Sequence, residues 1–167
     1  MTKELFAILC AALVALVVLL AVAGVLARRR RQRDIEPPQP WTDAMPTLVV
    51  DALYVATTRA GDRYDRVFAH GLGFRGRTRV AIDPDGVQLV ADRTEVRIPA
   101  ERIRSVERAT WTIDRVVEPG GMIVISHSLG ADVDTCLRII GDDREAFDAL
   151  RGLVRTRTQS TGEGTTS

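Results

Sequence analysis

The chain has 167 residues, enough for one globular domain and little more, and its 23 basic and 22 acidic residues leave a net charge of +1. The charge is unevenly placed, because residues 1–33 carry +5 and the rest of the chain carries −4. An acidic main part lacks the basic field that nonspecific nucleic-acid binding needs, so the composition argues against a nucleic-acid partner.

An uncharged apolar segment occupies residues Leu5 to Ala27, after a short tail of residues 1–4. A helix of that length covers the roughly 30 Å hydrocarbon layer of a bilayer, which predicts a transmembrane helix over 5–27 with membrane lipid as a partner. The alternative is a cleaved secretory signal ending near Ala21-Val22-Ala23. Such signals have a basic start and an apolar core of about 7 to 15 residues, and this segment has neither.

Five arginines follow the apolar segment directly: Arg28, Arg29, Arg30, Arg31 and Arg33. By the positive-inside rule they predict a single-pass protein of the cell membrane with its N-terminus outside and its C-terminal domain in the cytoplasm. The same cluster can also contact anionic headgroups, at about 1 kcal/mol per charge.

Residues 28–46 are predicted to form a basic juxtamembrane segment and a linker with four prolines (Pro37, Pro38, Pro40 and Pro46). Prolines favour extended conformations of about 3.1 Å per residue, which predicts a semi-rigid spacer. The domain is then expected over residues 47–154. Residues 155–167 are rich in Thr, Ser and Gly, and we expect them to be disordered.

Within residues 47–154 the apolar pattern has a period of two, which is typical of strands. Asp83-Pro84-Asp85-Gly86 predicts a tight turn between two of them. Seven or eight strands indicate a small antiparallel sandwich or barrel. The candidate strands are Leu48–Thr57, a weak one near Arg66–His70, Phe74–Ile82, Val87–Ala91, a short one around Val96 and Ile98, Ile103–Ile113, Met122–Ser128 and Val133–Ile140.

One C-terminal helix is predicted to close the domain. Asp142 and Glu145 resemble a helix-capping pair, and an apolar stripe follows with Phe147, Leu150 and Val154. We expect Phe147 to be a buried core aromatic.

The sequence gives no support for a nucleotide-binding motif, a metal site or a disulfide. Gly71–Gly76 matches G-x-G-x-x-G, but a strand pattern follows where dinucleotide binding needs a helix. The histidines, His70 and His127, lie far apart, as do the cysteines, Cys10 and Cys136. The sequence therefore predicts no catalytic residues, no metal site, no cofactor and no disulfide, so a non-enzymatic protein.

An arginine-rich strand is the one candidate for a ligand site. Arg75, Arg77 and Arg79 share a strand face because their spacing is two. With Arg59, Arg63 and Arg66 they predict a patch for an anionic ligand, through bidentate guanidinium contacts. The alternative is a solvated face neutralised by acids such as Asp62 and Asp65.

The run from Ile98 to Gly121, IPAERIRSVERATWTIDRVVEPGG, together with DVDTCLR at Asp132–Arg138, resembles small actinobacterial single-pass membrane proteins with a bacterial pleckstrin-homology-like (PH-like) domain. The resemblance implies a mainly β fold: a roll of about seven antiparallel strands, in two near-orthogonal sheets, capped by a C-terminal helix. The lysine and arginine signature of inositide-binding relatives has no convincing copy here, and fold alone does not establish function.

Three functions follow as expectations. The leading one is a membrane-anchored, non-enzymatic binding or scaffolding module at the cytoplasmic face that docks a segment of an unidentified protein partner or an anionic ligand. The alternative is an accessory subunit of a transport, export or envelope complex, in which the span itself is the docking element. A secreted enzyme, released by cleavage near Gly24, is the third.

Overall fold

The computed structural model describes residues 3–39, 45–91, 94–109 and 121–162, in two compact units, Met1–Asp34 and Ile35–Ser167. The first unit is built on helix α1 (Lys3–Arg31). Its stretch Phe6–Ala27 is 22 residues long, apolar enough to cross a bilayer, and exposed along its length. An exposed helix that is apolar on all sides is typical of a membrane span, and an N-terminal signal sequence has the same properties.

The second unit is an antiparallel sheet that surrounds an apolar core and is closed by helix α2 (Arg144–Gly162), which confirms the predicted mainly β fold. The described residues form eight strands, in the order β5-β4-β3-β1-β8-β7-β6, with β2 paired to β1. Side chains alternate across each strand, so one face of the sheet lines the core and the other is the outer face. The strands are β1 (Leu48–Arg59), β2 (Asp62–Arg66), β3 (Gly76–Asp83), β4 (Gly86–Ala91), β5 (Thr94–Pro99), β6 (Ile103–Ala109), β7 (Met122–Leu129) and β8 (Ala131–Ile139).

The region between β1 and β3 differs from the prediction. The extra strand β2 ends at Arg66, where the weak candidate strand was expected to begin, and Ala69–Gly71 forms a 3-10 turn. Strand β2 begins at Asp62, before the expected position, for a local reason. The Asp62 carboxylate accepts hydrogen bonds from the N–H groups of Tyr64 and Asp65, and these bonds shape the β1–β2 hairpin. Strand β6 is described to Ala109, and the remainder of the predicted Ile103–Ile113 strand lies outside the described residues.

The turn between β3 and β4 is formed as predicted. The Asp83 carboxylate accepts a hydrogen bond of 2.8 Å from the N–H of Asp85. Gly86 ends the turn with a φ of 157°, and a Cβ atom there would collide with the carbonyl oxygen of Ile98. A glycine is required because the backbone of β5 occupies the place of any side chain.

On helix α2, the side chains of Ala146, Leu150 and Leu153 are buried in the core. Phe147 packs against the core at its margin, with the guanidinium of Arg108 4.5 Å from its ring centroid, so this aromatic is less buried than expected. The helix also continues past Val154 to Gly162, where disorder was expected. Residues 155–161 contain neither proline nor glycine, so extending the helix costs little per residue. Residues 163–167 lie outside the described part.

The second unit begins at Ile35, earlier than the predicted boundary at residue 47. Residues Ile35–Gln39, here called the strap, pack on the domain instead of forming a free spacer. Ile35 is 3% exposed within the core, and the N–H of Glu36 donates to the carbonyl oxygen of Leu129 at 2.9 Å. Gln39 pairs with Arg97 in a single antiparallel bridge, since the prolines before it have no N–H to donate.

Candidate functional site

Three arginines of the predicted patch lie where the strand pattern placed them. Arg77 and Arg79 are on β3, Arg75 directly precedes it, and all three side chains are exposed on the outer side of the sheet. Arg79 pairs across the strands with Asp51, so a carboxylate stands beside part of the positive charge.

Two other arginines of the patch serve the fold. The Nη2 atom of Arg66 donates to the carbonyl oxygens of Val55, Gly73 and Phe74, at 3.2, 3.4 and 2.7 Å. This side chain therefore holds the segment that leads into β3. Arg59 forms an ion pair of 3.2 Å with Asp65, which agrees with the neutralised face weighed as the alternative for this part of the patch.

The register adds an arginine that the sequence analysis did not select. Leu53 of β1 pairs with Arg77 of β3 on one side and with Arg138 of β8 on the other. Neighbouring strands are about 4.8 Å apart, so the two arginines flank Leu53 with roughly 10 Å between their backbones. Alternation along β8 leaves Arg138 exposed, but nothing local to it shows that β8 joins β1. The exposed arginines 75, 77, 79 and 138 are called the basic face below.

A concave groove of about 510 Å³ lies on the outer face of β1, β8, β7 and β6, beside the β1–β2 hairpin. We call it the outer groove, and the sequence analysis did not predict it. Its apolar lining residues are Val55, Ala56, Ala109, Met122, Val124 and Cys136, and its charged ones are Asp62, Arg63, Glu107, Arg108 and Asp134. Arg63 sits at the hairpin, with its guanidinium 5.4 Å from the ring centroid of Tyr64.

Cys136 is a partly exposed thiol on the floor of the outer groove. Burial raises its pKa to about 11, and the nearby carboxylate of Asp134 contributes in the same direction. The thiol is therefore protonated at neutral pH, which makes it a weak nucleophile that reacts slowly.

A chain of hydrogen bonds crosses the core beneath the sheet. The hydroxyl groups of Tyr54 and Thr57 are 2.7 Å apart, those of Thr57 and Thr135 are 2.7 Å apart, and Nε2 of His127 is 2.9 Å from the Thr135 hydroxyl. Burial lowers the pKa of His127 to about 4, and the positive charge of Arg102 acts in the same sense. A neutral imidazole in the core, hydrogen-bonded to a threonine hydroxyl, has a structural role.

The remaining predicted features can be placed as well. Gly76, the last glycine of the G-x-G-x-x-G match, begins strand β3, so no helix follows it there. Among the residues that the structure describes, no three His, Cys, Asp or Glu side chains are grouped to hold a metal ion. Arg28–Arg31 form the end of α1, and Arg33 lies just past it.

The family profile described as "Bacterial PH domain-like" matches residues 23–154, most of the chain. No curated protein matches the chain significantly. The matched segment contains the strap, the whole sheet and the first part of α2. The architecture agrees with this match, because an antiparallel sheet around one core is closed by a C-terminal helix. The chain therefore belongs to the bacterial PH domain-like family.

Proposed function

We propose that this protein is a membrane-anchored, non-enzymatic binding module whose PH-like domain lies at the cytoplasmic face and docks a segment of a partner protein. The observation that carries the proposal is the apolar stretch Phe6–Ala27, followed at once by Arg28–Arg31 and Arg33.

The proposed membrane anchor is supported by the free energies of transfer of its side chains from water to the hydrocarbon layer. Each apolar side chain of the span favours the hydrocarbon layer, while each arginine at the centre of a membrane helix costs about 2.5 to 3.5 kcal/mol. Five arginines on one flank therefore resist translocation, and the opposite flank carries Lys3 balanced by Glu4. This asymmetry favours a cytoplasmic domain.

The proposed binding role is supported by the properties of the PH-like domain. PH-like domains typically act by binding, and the outer groove offers an apolar floor with charged side chains at its margin. Anchoring a domain to the bilayer raises its effective concentration toward other membrane-bound proteins, so a modest affinity for such a partner suffices.

The row formed by Arg77, Leu53 and Arg138 favours a second candidate function, the binding of an anionic ligand on the basic face. Guanidinium groups spaced across neighbouring strands suit phosphate or carboxylate groups. Asp51 beside Arg79 reduces the local charge, which is why this candidate stands second.

Crosslinking of the full-length chain in native membranes, followed by mass spectrometry, tests the proposal. We expect the chain to stay in the membrane during carbonate extraction and to give crosslinks from the PH-like domain to a specific protein. Release by carbonate, or a domain that crosslinks to nothing specific and prefers no liposome, would count against the proposal.

A further inference from the structure

We infer that the outer groove is the docking site and that its occupant is an extended partner segment in which apolar side chains alternate with cationic ones. This assignment rests on the proposed binding function and adds the chemistry of the partner. Three features of the groove carry it: its size, its apolar floor and the state of its carboxylates.

The size and the floor indicate an apolar occupant. About 510 Å³ lies within the range of roughly 300 to 1,000 Å³ that is usual for ligand sites in proteins. Across the sheet, Ala56 of β1 pairs with Cys136 of β8, which pairs with Val124 of β7. These small side chains leave a shallow channel, with Met122 and Ala109 paired at one end of it. Such a floor favours alternate apolar side chains of an extended segment.

The carboxylates indicate a cationic occupant. Asp134 accepts a hydrogen bond of 2.7 Å from the Ser126 hydroxyl, and Glu107 accepts one of 3.3 Å from Ser105. The third carboxylate, that of Asp62, accepts from backbone N–H groups of the hairpin. Each of these three carboxylates accepts a hydrogen bond from a neutral donor, and such a bond leaves its negative charge in place.

The arginines that line the groove do not neutralise all of its carboxylates. Arg108 forms an ion pair of 2.8 Å with Asp143, which lies directly before α2 and is not among the residues that line the groove. The positive charge of Arg108 is therefore offset outside the groove, and the other described charged residues that line it are three carboxylates and Arg63. Along β8, Asp134 lies two residues before Cys136 and Arg138 lies two residues after it, so the negative and positive side chains are on opposite sides of Cys136. The cation of a bound segment is therefore expected at the Asp134 end.

Cys136 provides a built-in reporter of groove occupancy, because the sequence has two cysteines and the other, Cys10, lies in α1. The test uses the full-length Cys10→Ser chain in phosphatidylcholine nanodiscs and three synthetic octapeptides with alternating residues: Leu-Arg, Leu-Glu and Gly-Arg. The affinity of each peptide is measured against empty nanodiscs, and the rate of Cys136 alkylation is followed at rising peptide concentration.

We expect the Leu-Arg peptide to bind saturably and to slow alkylation about fivefold at four times its Kd. The Leu-Glu and Gly-Arg peptides should bind more weakly and leave the rate near that of the free protein. Replacing the three groove carboxylates (Asp62→Asn, Glu107→Gln and Asp134→Asn) should weaken binding of the Leu-Arg peptide about tenfold. A matched control (Asp51→Asn, Glu95→Gln and Asp148→Asn) removes the same charge from exposed positions that do not line the groove and should leave binding unchanged.

The assignment is overturned if the Leu-Arg peptide leaves the alkylation rate unchanged, if the Leu-Glu peptide binds as tightly, or if both sets of substitutions weaken binding equally. The peptide comparison needs no variant in the groove, so a folding defect in the triple variant does not decide the result. A chain that stays in membranes and crosslinks to a partner, but whose Cys136 remains unprotected, overturns the groove assignment and leaves the proposed function standing.

Discussion

The Nε2 atom of His70 lies 2.9 Å from the carbonyl oxygen of Ile35, and this contact joins the 3-10 turn before β3 to the strap. His70 has a φ of 52°, in the left-handed region that non-glycine residues seldom adopt. An ion pair of 2.9 Å between Glu36 and Arg102 fixes the strap from another side. The strap is therefore part of the folded domain.

Ile35→Ala should lower the free energy of unfolding by about 2 to 4 kcal/mol, because it removes an apolar side chain that is 3% exposed and leaves a cavity. Urea unfolding of the full chain in a mild detergent, followed by circular dichroism, provides the measurement. Met45→Ala is the control, since Met45 is 90% exposed and its loss should change the value by less than about 0.5 kcal/mol. Equal stabilities for the two variants would show that the strap is not docked.

Arg66→Lys should destabilise the domain by about 1 to 3 kcal/mol, although it keeps the positive charge. An ammonium group lacks the planar fork with which Arg66 reaches the carbonyl oxygens of Val55 and Phe74. Arg77→Lys, on the exposed face of β3, should be nearly neutral in the same unfolding experiment. A loss of stability as large at residue 77 would contradict the division of the arginines into fold-serving and exposed ones.

The strand pattern was the most predictable part of this protein, because alternation along β3, β7 and β8 is a local property of the chain. The position of Arg138 beside Leu53 and Arg77 was not predictable, since it depends on which strands pair. The outer groove was not predictable for the same reason, because its floor combines residues from four strands. Ile35 was the missed local signal: an apolar residue in a polar, proline-rich stretch is a candidate for burial.

Two glycine-to-alanine substitutions should act in opposite directions. Gly86→Ala should destabilise the domain by about 2 kcal/mol or more, because its Cβ atom would meet the carbonyl oxygen of Ile98. Gly152→Ala should stabilise it by about 0.5 to 1 kcal/mol, because Gly152 lies within α2 with open space around its Cα atom. The urea experiment distinguishes them, and a stabilising Gly86→Ala would contradict the close approach of β4 to β5.

Stability should fall with decreasing pH as His127 becomes charged. The folded pKa of about 4 lies below the ordinary value of 6.5, so His127 contributes its full share of stability above pH 6.5. That share is lost as the pH falls from 6.5 toward 4, by up to about 1.4 kcal/mol per pH unit. Unfolding free energies measured between pH 7.5 and 4 should decline less steeply for His127→Gln. Parallel curves for the variant and the parent would rule out a buried neutral imidazole.

We propose that the apolar segment and its arginines anchor this PH-like domain on the cytoplasmic side of a membrane. Reporter fusions at the C-terminus measure this directly, with one reporter active in the cytoplasm and another active outside. We predict cytoplasmic activity, and a shift toward the outside when the arginines at 28–31 and 33 are replaced by Gln and an equal number are placed before Leu5. Outside activity of the unaltered chain, or a mature product that begins near Gly24, would contradict the account.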